Sequence, residues 1–221
     1  MGVIKIDKIL NILLRLVEAS KVTISLTVVA ALLATLIAFI SGILLLNRHK
    51  IIRVFVRTYV EIFRGTSLLV QLYWIYFVLP LFGLELPKFT AGVVAIALNY
   101  GAYSSEIVRS GFLSVPKEQT EAAKALNFTP LQRMRYVLFP QAIRIMLPGL
   151  GNQIIELIKG TALVSLIGLE DLTYSGVIMR TNDIADTFII FILILLIYYA
   201  ISTIFASGFR LLEKRVNVGR A

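Results

Sequence analysis

The chain of 221 residues has no cysteine, one histidine and one tryptophan. Without thiols it has no disulfide, no thiolate metal site and no cysteine nucleophile, and the redox compartment stays open. A lone His49 cannot build a histidine-rich metal site or a buried catalytic triad, and its basic surroundings suit a solvated loop residue. No metal ligand set is therefore expected. Charge is also scarce: Asp, Glu, Lys and Arg make up 16% of the residues, against about 25% in soluble domains. The scarcity is uneven, with no ionisable residue between Lys21 and Arg48. There is no G-x-x-x-x-G-K-[ST] phosphate loop, so ATP hydrolysis by this chain is not expected. Ser114 and Lys117 match S-x-x-K, but the companion motifs of that chemistry are missing.

What fills the sequence instead is apolar: 58% hydrophobic residues and a mean hydropathy of +0.85. Gathered into discrete runs, these residues predict an all-α integral membrane protein forming one domain over residues 1–221, in contact with membrane lipid. Five transmembrane helices are expected, at about 22–46, 65–84, 89–110, 147–169 and 187–209, with a cytoplasmic loop at about 111–146. A net charge of +9 would suggest nucleic acid in a soluble protein. Here Lys and Arg gather between spans, where cytoplasmic loops accumulate them for topological reasons, and no nucleic acid is expected. With the N-terminus outside and the C-terminus inside, fifteen Lys and Arg lie on the inner side, Arg48 to Arg64, Arg109 to Arg144 and Arg210 to Arg220, against six on the outer side. Small residues recur every four positions at Ala30, Ala34, Ala38 and Gly42 in the first span. Ala97, Gly101 and Ser105 repeat the pattern in the third, a spacing that lets helix backbones approach closely in lipid.

The inner loop is too patterned to be slack. Glu118 to Leu126 reads E-Q-T-E-A-A-K-A-L, strong helix formers with Ala122 and Leu126 on one side and Glu118, Glu121 and Lys124 around the other. Asn127 stands where a left-handed cap is needed. Thr129-Pro130-Leu131-Gln132 then restarts a helix, with Thr as cap, Pro in the first helical position and Gln closing a capping box. The pattern predicts a helix, a sharp corner and a second helix.

These residues carry a resemblance. Glu121-Ala122-Ala123, with Asn127 six residues after the Glu and Ile145 to Pro148 further on, resembles the cytoplasmic loop of permease subunits in binding-protein-dependent ABC importers. Phe63 to Gln71 (F-R-G-T-S-L-L-V-Q), Ala102 to Glu106 (A-Y-S-S-E) and Lys159 to Ser165 (K-G-T-A-L-V-S) are similar to its polar-amino-acid branch, the histidine, glutamine and arginine permeases. The likeness runs from about Thr23 to Glu213. It departs at Asn127, where the family usually has Gly, and at Ser67, where Pro is commoner.

The resemblance implies the type I importer fold in the bacterial cytoplasmic membrane, and a second permease subunit, identical or homologous. It also implies two cytoplasmic ATP-binding subunits that hold the ATP and Mg, and an extracytoplasmic substrate-binding protein. No cofactor is implied on this chain. Glu118, Glu121, Ala122, Ala123, Leu126 and Asn127 would form the helix that docks on the ATPase. The plain alternative is an amphipathic connector on the bilayer surface, which would carry bulkier apolar residues and more Lys or Arg.

Within the fourth span, Glu156 and Lys159 are expected to face protein or water, because an ionised residue at mid-bilayer costs about 2.5–3.5 kcal/mol on insertion scales. Spaced i, i+3, they can neutralise each other, near Gly160, Thr161 and Ser165. They are candidates for lining a substrate path, or for an ion pair at a helix or subunit interface. Gln71, Asn99 and Tyr103 are further polar candidates, with in-bundle hydrogen bonding the default. Glu61 and Arg64 form a similar pair with a structural or gating role. Rival readings keep the architecture and change the cargo to an osmolyte, metal chelate or sugar, or make the chain a membrane scaffold.

Overall fold

The computed structural model of the chain describes residues 2–217, with side chains from 7 to 216. Arg220, counted above among the inner cations, lies outside the described residues. Eight helices are described: α1 Gly2–Leu44, α2 Lys50–Gly65, α3 Leu68–Phe82, α4 Lys88–Leu113, α5 Lys117–Ala125, α6 Pro130–Ile167, α7 Leu172–Asn182 and α8 Thr187–Asn217. There is no strand among the described residues. By length and composition α1, α6 and α8 can each cross a membrane, and the bent pair α2 and α3 adds a fourth candidate. α4 is less apolar than these, and its surroundings say why. It packs against α1, α2, α3 and α6, burying fourteen residues. A helix enclosed by other helices needs no lipid-facing surface and tolerates Asn99, Tyr100, Tyr103, Ser104 and Ser105.

The two small-residue stripes meet each other. Ala30, Ala34 and Ala38 are buried, and a Cβ added to Gly42 would lie 2.7 Å from Val108 Cβ and 2.8 Å from the Ser105 carbonyl. One added to Gly101 would lie 2.8 Å from Ile37 Cγ2 and 3.3 Å from the Ala34 carbonyl. α1 and α4 therefore run side by side in the same direction with backbones nearly in contact, and this pair is the spine of the bundle. Leu72, Ile75 and Tyr76 of α3, Leu157 of α6 and Val164 complete its main apolar cluster.

α1 is longer than expected. It begins at Gly2 rather than near residue 22 and runs 43 residues, roughly 64 Å at 1.5 Å per residue, twice a hydrocarbon core. Its first half is held by a corner built from α7 and the start of α8: Leu16 packs with Leu172, Ile190 and Ile194, and Lys8 pairs with Asp183 and Asp186, each at 2.6 Å. Asp171 is fully buried there and caps α7 by accepting the Tyr174 N–H at 2.8 Å. Burial pushes its carboxyl up to about 6.

α6 is one element over Pro130–Ile167, although it contains Pro140 and Pro148. A π-helical turn at Arg133–Leu138 precedes Pro140, widening the helix where the ring removes an N–H and would crowd the preceding turn. Pro148 sits inside the same continuous helix. Past Gly160 the helix tightens to 3₁₀ geometry over Thr161–Ile167, and Gly168, at φ +75, ends it.

Candidate functional site

Two places concentrate the candidate residues. The first is the break between α2 and α3. The segment after Leu46, expected as a basic loop, is a 16-residue helix whose axis meets that of α3 at a bend of 106°. At Thr66 and Ser67 the backbone is extended, so the Phe63, Arg64 and Thr66 carbonyls have no helical partner. Freed carbonyls within a membrane bundle must be satisfied by neighbouring side chains. Gln71 Nε2 donates to the Phe63 carbonyl at 2.9 Å, to the Thr66 carbonyl at 3.2 Å and to Thr66 Oγ1 at 2.7 Å, sharing its two protons among them. Asn99 Nδ2 donates to the Phe63 carbonyl at 3.1 Å and to Gln71 Oε1 at 3.0 Å. Tyr103 Oη donates to the Arg64 carbonyl at 3.1 Å, and the Arg64 guanidinium lies 5.4 Å from the centre of the Tyr103 ring. Gln71 and Asn99 are buried.

Beside this break opens a cavity of about 310 Å³ lined by Thr66, Ser67, Leu68, Asn99, Tyr100, Tyr103, Gln153 and Glu156. Tyr100 reaches across it from α4 to α6, donating to the Glu156 carbonyl at 2.8 Å. Gly160 leaves room for that ring, since a Cβ there would lie 2.5 Å from Tyr100 Oη. Gln153 brings a buried Oε1 with no hydrogen-bond donor. Glu156 and Lys159 do form the i, i+3 pair, at 2.7 Å, but both side chains are more than half exposed. The pair thus lies on the surface of this chain, and such a pair adds little stability by itself.

Of the path candidates, Asn99, Tyr103 and Glu156 line the cavity, Gln71 braces it from behind, and Gly160 shapes it through Tyr100. Lys159 stands outside the lining. Thr161 and Ser165 turn their hydroxyls to the Ile158 and Ala162 carbonyls of their own helix, each at 2.7 Å, so the geometry does not bring them to the cavity. Tyr100, Gln153 and Thr66 belong to the lining without having been named from the sequence as path residues. For Gln153 the available signal was helical spacing, one turn before Glu156, whereas the place of Tyr100 depends on its contact with Gly160 of α6.

The second place is the corner that follows α5. In α5 only Ala123 is buried, while Glu118, Glu121, Ala122, Leu126 and Asn127 are exposed. Gln119 ties the helix to α6 through Gln141 at 3.2 Å. Asn127 takes φ +56, the one positive φ outside glycine among the described residues. Phe128 N–H bonds the Ala123 carbonyl at 3.0 Å and Asn127 N–H bonds the Lys124 carbonyl at 2.9 Å, the paired closure of a Schellman cap. Thr129 and Gln132 exchange the two bonds of a capping box, at 2.8 and 3.3 Å. Replacing Asn127 by Ala should lower the local opening free energy by about 1 kcal/mol, the order of the left-handed penalty for a residue with Cβ. Faster hydrogen exchange at the Leu126 to Phe128 amides reports it, and Asn127→Gly should show no such acceleration.

A long spine of helices, a polar break facing a cavity, and an exposed helical corner at one end are parts that suit a membrane transport subunit. Comparison with known families matches residues 23–218 to the binding-protein-dependent transport system inner membrane component, and the chain belongs to that family. Its members are the permease components of ABC importers and carry no ATPase site of their own. Among curated relatives, a probable amino-acid ABC transporter permease protein, y4tF, of Sinorhizobium fredii (strain NBRC 101917 / NGR234) is 41% identical over 202 residues, covering 89% of this chain and 84% of the relative. A putative glutamine transport system permease protein, GlnP, of Rickettsia prowazekii (strain Madrid E) is 40% identical over 161 residues, 72% of this chain and 74% of the relative. Among solved structures, the crystal structure of an amino acid ABC transporter with histidines superposes with a TM-score of 0.83 at 36% identity, covering 97% of each chain.

Proposed function

We propose that this subunit forms the translocation path for polar amino acids, basic ones among them, delivered by an extracytoplasmic binding protein and driven by two cytoplasmic ATPase subunits. The observation that carries this reading is the polar cavity beside the broken helix. Thr66, Ser67, Tyr103 and Asn99 line one side, and Gln153 and Glu156 the other. Thr66, Tyr103 and Asn99 give their protons to the carbonyls around the break and shape that side, which leaves the Ser67 hydroxyl for the carboxylate of an amino acid and Glu156 for its ammonium or guanidinium. Glu156 is exposed on this chain, which suits a path completed by a second permease subunit. We further read five spans, with the N-terminus outside and the C-terminus inside the bacterial cytoplasmic membrane, in keeping with the Lys and Arg distribution. ATP and Mg belong to the partner subunits, and α5 with its Asn127 corner is where those partners attach. The binding protein would meet the outer loop at 170–186, whose carboxylates are Glu170, Asp171, Asp183 and Asp186. Asp171 is buried, Asp183 and Asp186 are engaged by Lys8, and Glu170 is the exposed carboxylate left.

The test is uptake of a panel of labelled solutes by proteoliposomes holding the complete importer. Glu156→Gln should raise KM for basic amino acids about tenfold, the loss of one charge-assisted contact, and change neutral ones much less. Accumulation of an osmolyte or sugar in place of every amino acid would overturn the substrate assignment.

A further inference from the structure

α2 has three faces. Val56 and Val60 are buried against Leu45 and Tyr59. Ile51, Phe55 and Ile62 are 85%, 78% and 55% exposed and share a second face. Lys50, Arg53, Arg57, Glu61 and Arg64 share a third, roughly 130° around the helix from the apolar stripe at about 100° per residue. Glu61 pairs with Arg57 at 2.9 Å and not with Arg64, which lies over the Tyr103 ring. No carboxylate lies within ion-pair distance of Arg48, Lys50 or Arg53 among the described residues. The bend of 106° to α3, which itself packs along α1 and α4, inclines α2 steeply across the bundle at the end of α1. A basic, strongly two-sided helix inclined across a membrane bundle has the chemistry of a bilayer-surface element.

We propose that α2 and the preceding Arg48 form a docking surface for anionic phospholipid of the inner leaflet, with the cations holding the headgroup phosphate and Ile51, Phe55 and Ile62 an acyl chain. A mostly apolar groove lined by Lys50, Ile51, Val54, Phe55, Thr58, Tyr59 and Ile62 suits the acyl chain, with Lys50 the one cation at it. A second copy of the chain is a poor occupant, because it would bring the same excess of cations against this face. From the proposed function the inference takes only the membrane orientation.

The absence of cysteine makes the test clean, since Phe55→Cys, or Ile62→Cys as a second reporter, accepts a fluorophore at one position. The labelled full chain is placed in nanodiscs of phosphatidylcholine and phosphatidylglycerol, one or the other lipid brominated as quencher at equal mole fraction. Brominated phosphatidylglycerol should quench about fivefold more strongly, the equivalent of one basic residue's attraction to an anionic surface. The variant K50Q/R53Q/R57Q should lose that preference and R53K/R57K keep it. Equal quenching by both lipids overturns the proposal, as does quenching by aqueous iodide alone, which would leave a protein partner or solvent on this face. Inorganic phosphate abolishing the preference also overturns it, in favour of a soluble-anion site. The readout requires no transport, so failure of amino-acid uptake and failure of lipid preference are separate results.

Discussion

Placing a tryptophan at Ala122 is expected to reduce ATP-driven uptake about thirtyfold or more and to release the ATPase subunits, with the permease itself still inserted and folded. Ala122 is exposed in this chain, so the larger ring meets nothing in the permease. Ala122 and the 69%-exposed Leu126 stand together beside Glu118 and Glu121. The docking face proposed there would have no room for an indole, and losing a central contact in such an interface costs about 2 kcal/mol or more. The neighbouring position supplies the contrast. Ala123 is 2% exposed and packs inward, so Ala123→Trp should disorder the corner itself, visible as lost protection of the Asn127 cap. Glu121→Lys alone should weaken docking more at low salt than at high salt, because an exposed rim charge is screened. Measuring ATPase copurification, uptake and hydrogen exchange on the three variants separates docking from folding. Full uptake by Ala122→Trp would remove α5 as the route by which ATP hydrolysis reaches the bundle.

The corner that follows α5 was legible because its determinants are local. Asn127 and the Thr129–Gln132 pair each act within four residues, and a capping motif read from the sequence is the same motif in space. The Ala and Gly stripes were legible because a four-residue period survives any tertiary arrangement. What escaped was non-local. The charges of α2 were read for topology, which masked a helical period already present in Val56, Val60 and Phe63 against Ile51, Phe55 and Ile62. Tyr100 reads as one more aromatic in an apolar span, and its place in the cavity depends on Gly160, sixty residues later, which no single-sequence pattern links to it. Thr161 and Ser165 looked like path residues because hydroxyls near a charge pair suggest polarity. Both hydroxyls bond their own helix, as serine and threonine commonly do in a tight turn.

The spine between α1 and α4 is the place where one methyl group should matter most to the fold. Gly101→Ala puts a Cβ 2.8 Å from Ile37 Cγ2 and 3.0 Å from Ile37 Cβ, closer than two carbons tolerate. Relief requires separating two helices that are in contact along most of their shared length. Neither neighbour can yield cheaply, because Ala34 and Ala38 on the same stripe already sit at 4% and 0% exposure. Overpacking of this kind costs about 1–3 kcal/mol, and since association in lipid rests on such packing, little compensates it. Gly101→Ala should therefore lower the midpoint of thermal aggregation in detergent by several degrees, and Gly101→Val should prevent accumulation of folded chain. Ile37→Ala in the Gly101→Ala background removes the atoms that clash and should restore most of the loss. A Gly101→Ala chain as stable as the parent, or one that Ile37→Ala fails to rescue, would mean that the close approach of these helices is not what holds the bundle together.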